Sequence, residues 1–182
     1  HARGRWGLRR IAVVDFDVHH GNGTQAAFEA DADLFYASTH QSPLYPGTGA
    51  AHEKGVAGNI VNLPLRPYAG SAEFRAAVEN TLLPRLEGFA PELVLISAGF
   101  DAHKSDPLAQ MQLADEDYYW VTEQLLSVAQ KTAQGRVVSA LEGGYDLKAL
   151  ASASAAHVKA PVLAWSAPPR CVATPGSVQL WP

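Results

Sequence analysis

The sequence predicts an α/β protein of three layers, α/β/α, around a mostly parallel sheet. Three observations carry this. Apolar strand-like runs alternate with helical patterns along the chain, the signature of strands joined by helical crossovers. Leu93-Val94-Leu95-Ile96-Ser97-Ala98 is a nearly continuous apolar run, as in a strand covered on both faces. Three such runs end in polar clusters, the place where open α/β sheets bind ligands.

In chain order, residues 10–16 form a buried strand and residues 24–29 a short helix. Residues 34–38 form a second strand, with a Gly/Pro-rich stretch over 41–49 after it, and residues 59–63 a third. An amphipathic helix follows over 71–86, with Ser71 as its N-cap and Glu73 and Glu79 facing water. After the strand over 93–98, Asp115 caps a helix to about residue 131 and residues 137–141 form another buried strand. Asp146 opens a last helix to about residue 158. From Pro161 the pattern breaks down. Five of the 12 prolines and two of the four tryptophans fall in the final 22 residues, so 1–160 reads as one domain and 161–182 as an irregular tail.

The 182 residues, 47% hydrophobic and 18% charged, suffice for one sizeable core, and a net charge of −4 gives no signature for nucleic acid. Cys171 is the only cysteine, so no intrachain disulfide forms, which suits a reducing, cytoplasmic compartment. No apolar stretch approaches the roughly 20 residues of a membrane span.

The first strand ends in Asp15-Phe16-Asp17-Val18-His19-His20-Gly21-Asn22-Gly23. Alternate residues of a strand share a face, so Asp15, Asp17 and His19 point one way, and the glycines let the chain turn away. Two carboxylates and an imidazole together are costly to desolvate unless a cation lies between them. The run at 93–98 ends in Gly99-Phe100-Asp101-Ala102-His103, and the run at 137–141 in Glu142-Gly143-Gly144-Tyr145. Asp17, His19 and Asp101 together leave the fourth position of a tetrahedral zinc open, the arrangement of a catalytic site. The same oxygen-rich set also suits manganese or iron(II). Tyr145 would donate its phenol to a carbonyl oxygen as negative charge develops there.

These segments, with Ser38-Thr39-His40, Tyr45-Pro46-Gly47-Thr48-Gly49 and Asp106-Pro107-Leu108, resemble in order and spacing the zinc-dependent histone deacetylase family. The resemblance is strongest to its class II-like and bacterial branch of acetoin-utilisation and acetylpolyamine amidohydrolase proteins, and it runs over residues 9–159. It implies an arginase/deacetylase-like fold with one zinc on Asp17, His19 and Asp101, and Tyr145 stabilising the tetrahedral intermediate. Metal-activated water would remove the acetyl group of an acetyl-lysine peptide or a small acylated amine. The resemblance further implies that Asp15, His20 and Asn22 support the site. Asp15 and Ser38 would help hold a structural monovalent cation, K+, while Tyr45, Leu108, Gly143 and Gly144 belong to the substrate channel. Leu108 lacks the acidic charge that would attract a second ammonium.

One departure matters. The family's tandem catalytic histidines lie upstream of the metal strand, and too few residues precede it here, so the chain is expected to be incomplete at its N-terminus and feeble alone. His40 and His103 do not match that pair and are expected to be supporting or structural. Two further readings stay open: a silent module that binds acylated peptides, and a binuclear manganese ureohydrolase-like enzyme.

Overall fold

The computed structural model describes residues 1–166; of the irregular tail expected over 161–182, residues 161–166 are helical instead and the rest lies outside the described residues. Five strands form one sheet in the order β3-β2-β1-β4-β5: β1 Ile11–Asp15, β2 Leu34–Gln41, β3 Ile60–Leu65, β4 Leu93–Ala98 and β5 Val137–Leu141. Every pairing is parallel. From β1 the chain builds outward to β2 and β3, then returns to place β4 on the other side of β1. The carboxyl ends of β1 and β4 therefore flank a switch point, where ligand crevices open. The register sets Asp15 beside Ser38 on one side and Ser97 on the other.

One face of the sheet packs Val14, Ala37, Val61 and Ile96 against Phe74, Val78, Leu82 and Leu86 of the middle helices and Val121, Leu125 and Val128 of α5 (Asp115–Thr132). The opposite face has a smaller core of Val13, Tyr36 and Ile60, with Phe28 of α2 (Asn22–Phe28) packed against it. Continuous apolar strands are what two covered faces require.

The structure adds a short helix, α1 (Ala2–Trp6), stopped by Gly7 at φ 68°. It also corrects several boundaries. The helix expected over 71–86 is α3 (Ser71–Ala77), a π turn (Val78–Leu82) and α4 (Leu83–Phe89). Pro84 has no N–H to donate to the preceding turn, which is where the regular ladder gives way. Its N-cap is Gly70 rather than Ser71: the Ser71 hydroxyl donates to Asp117 Oδ2 (2.6 Å), while Glu73 accepts the Gly70 N–H. Asp115 is likewise inside α5, whose N-cap is Ala114, because Asp117 accepts the Ala114 N–H at 3.0 Å. Asp146 does open the last helix, accepting the N–H groups of Lys148 and Ala149. That helix, α6 (Leu147–Ser166), continues through Pro161 instead of stopping near 158, since a proline so near the end removes one bond among good helix formers.

Candidate metal centre

Past the end of β1 the in-out alternation continues: Phe16, Val18 and His20 are buried, whereas Asp17 and His19 are partly exposed. Asp101, after β4, is fully buried and reaches the same point. Asp17, His19 and Asp101 each offer a ligand atom within 4.8 Å of the others, the one such group among the described residues. His19 Nδ1 lies 3.0 Å from Asp17 Oδ1 and 3.1 Å from Asp101 Oδ2.

Backbone donors aim these carboxylates. The Val18 N–H donates to Asp101 Oδ1 (2.8 Å), the His19 N–H to Asp17 Oδ1 (2.9 Å), and the Gly143 N–H, from the end of β5, to Asp17 Oδ2 (2.8 Å). Burial, and then the charge of Asp17, raise the pKa of Asp101 above the usual carboxylate range. One imidazole nitrogen facing two carboxylates leaves a cup that lacks positive charge, and a divalent cation supplies it. The donor set, one nitrogen and two carboxylates with an open side, fits zinc.

Two glycines make the cup possible. A Cβ on Gly99 would overlap Asp17 Oδ2, and one on Gly143 would overlap Asp101 Oδ2 and stand 2.7 Å from Asp17 Oδ2. Gly143, expected along a channel, thus sits directly against the two carboxylates. Gly144 (φ 145°) turns toward Phe100 and Leu150.

Asp15 supports the cup from below, accepting the Asp17 N–H (3.0 Å) and the Tyr36 hydroxyl (2.9 Å). Burial lifts its pKa to about 8. Ser38, its register neighbour, shares a 2.9 Å hydrogen bond with His40 Nδ1. His20 turns away from the cup to Thr48 Oγ1 (2.8 Å) and Gln25 Oε1 (2.9 Å). Asn22, expected to support the site, instead stands exposed on the first turn of α2, whose start carries it out to solvent. His103 is buried, stacked on Tyr118, with Nε2 3.5 Å from Asp115.

Tyr145 is 52% exposed. Its own N–H donates to Asp106 Oδ2 (2.8 Å), which anchors the turn. Partial burial, then Asp101 and Asp17, raise its phenol pKa. Tyr45 and Leu108 are exposed on the loops after β2 and β4. Sequence reasoning missed Gly99, Tyr36 and Asp106 as working parts. Gly99, directly after an apolar strand, was the readable signal among them.

The histone deacetylase domain model matches residues 1–161. The chain belongs to the histone deacetylase family. It is 43% identical over 163 residues to histone deacetylase 14, chloroplastic, of Arabidopsis thaliana, covering 88% of this chain and 38% of that protein. It is 40% identical over 148 residues to the histone deacetylase-like amidohydrolase of Pseudomonas aeruginosa, covering 79% and 39%. The crystal structure of the HDA15 HD domain superposes with a TM-score of 0.80 at 37% identity, covering 89% of this chain and 46% of that one. The structure of the histone deacetylase Clr3 gives 0.82 at 33%, covering 87% and 28%. The fold is therefore the arginase/deacetylase fold, and the family's members here extend beyond bacteria to plants and archaea. The chain spans less than half the length of these relatives. Among the described residues no helix is long and apolar enough to cross a membrane.

Proposed function

We propose that this deacetylase-family chain carries the metal half of a site that hydrolyses the amide of acetyl-lysine or a related acylated amine. The convergence of Asp17, His19 and Asp101 around a space kept open by Gly99 and Gly143 carries the reading. Zinc held there would lower the pKa of a bound water to about 7 and polarise the acyl carbonyl. Tyr145, at the rim, donates its phenol hydrogen to the acyl oxygen as that oxygen gains charge. Asp15 keeps Asp17 in place through its backbone N–H, and together with Ser38 is the position for a structural K+.

Proton transfer needs a further group. His20, His40 and His103 are each held by internal partners, so none of the three is assigned the general base. One Asp–His–Asp group among the described residues favours a mononuclear centre over a binuclear one.

The test is acetate release from an acetyl-lysine peptide by the full-length protein as its gene encodes it, before and after removal of metal with a chelator. Activity should vanish on stripping and return with zinc. Full activity after complete stripping would overturn the reading.

A further inference from the structure

One buried imidazole in this molecule has no part in the site just described. His157, on α6, is 6% exposed. Its ring packs edge-on against Phe16 and Phe100, with centroids 5.9 Å from each. Phe16 lies between Asp15 and Asp17, and Phe100 immediately precedes Asp101. Tyr118 of α5 closes the same cluster, 6.0 Å from Phe16 and 5.1 Å from Phe100. The residues that back the metal cup thus share one aromatic layer, and His157 is its polar member.

Its hydrogen bonds have a direction. The Thr122 hydroxyl donates to the Tyr118 carbonyl (2.6 Å), which uses its only hydrogen. His157 Nδ1, 2.6 Å from Thr122 Oγ1, must therefore donate to it. In the neutral ring Nε2 is then an acceptor, and Ser139 Oγ, 2.9 Å away, donates to it. Burial favours that neutral form. A single relay runs from Ser139 on β5, through the imidazole, to the backbone of α5.

β5 carries that relay toward the cup: four residues beyond Ser139, the chain leaving the strand delivers the Gly143 N–H to Asp17, and then Tyr145. An aliphatic side chain at 157 would fill the volume but would not fix Ser139.

We propose that His157 is a positioning residue for the reaction proposed above: tying Ser139 to α5 while packing on Phe16 and Phe100, it sets the Gly143-Gly144-Tyr145 turn over the metal cup. The inference rests on that deacetylase reading for its effect on rate, but not for its effect on the turn.

The test uses the full-length protein with His157→Leu, His157→Gln and Ser139→Ala. His157→Leu should lower kcat about tenfold with KM within about twofold, since misplacing a reacting group by a fraction of an ångström costs rate rather than binding. His157→Gln, whose amide oxygen can accept from Ser139, should regain most of the loss. In a Tyr145→Phe background, His157→Leu should cost less than about twofold more, because both changes act on one group. Amide hydrogen exchange over residues 142–146 should speed up about tenfold in His157→Leu and in the milder Ser139→Ala, with β1 unchanged.

Unchanged exchange at the turn would overturn the proposal, as would a His157→Leu loss that multiplies in full with Tyr145→Phe. If the parent protein hydrolyses no acetyl-lysine, the deacetylase reading falls and the exchange result alone decides the tie.

Discussion

His19 and His20 are neighbours in sequence with opposite surroundings. His19 faces two carboxylates, one of them fully buried. His20 is buried beside His40 and closed off by neutral partners: Thr48 and Gln25 on one ring, Ser38 and the Gly49 carbonyl on the other. The first region balances its charge only with a ligand, whereas the second is complete on folding. That difference separates a site from a scaffold here, more than residue type or burial does. The two regions should therefore fail differently when altered.

The largest effect is expected at the cup. Gly143→Ala places a methyl group on Asp101 and Asp17, so turnover should fall about a thousandfold while the helical circular dichroism stays native. Retained turnover would mean that the ligands do not need that space.

The scaffold histidines should respond to pH instead. Burial first, and the charge of His20 second, hold His40 down to about 4. Between about 6.5 and that value the unfolded chain takes up a proton that the folded one refuses, so stability falls as pH falls through this window. The total is about 3 kcal/mol. Urea midpoints of the parent and His40→Asn, compared at pH 7 and pH 4.5, should differ in pH slope. Equal slopes would remove His40 from the scaffold account.

Tyr145→Phe should lower kcat about 100-fold and change KM by no more than a few-fold, as measured by steady-state kinetics on an acetyl-lysine peptide. An equal loss in KM alone would make Tyr145 a binding residue. The smallest change is His20→Leu, which takes the imidazole partner from Thr48 Oγ1 while Gln25 keeps Asn62 and Glu53, and should cost about 1 kcal/mol in denaturant unfolding. It should leave metal content alone. Loss of metal in that variant would erase the contrast between the two histidines.

Much of the cup could be read before the fold was seen. Asp17, His19 and Asp101 stand at strand ends, and strand ends of a parallel sheet converge by topology, so position along the chain predicts position in space. Asn22 shows the limit of this: the helix expected from residue 24 begins at Asn22, which that start turns out to solvent. The roles of Tyr36, Asp106 and His157 were unreadable for a different reason. Each acts through a contact 18 to 39 residues away in sequence, and no local period records such contacts. The break at the π turn had its cause in plain view at Pro84, yet the apolar spacing of Phe74, Val78, Leu82 and Leu86 continues across it and suggests one helix.

Elemental analysis of the dialysed full-length protein beside Asp101→Asn is the most direct measurement. The cup described here predicts about one zinc per parent chain and almost none in the variant, with the fold retained. Two metal ions per parent chain, or equal zinc in the two proteins, would contradict it.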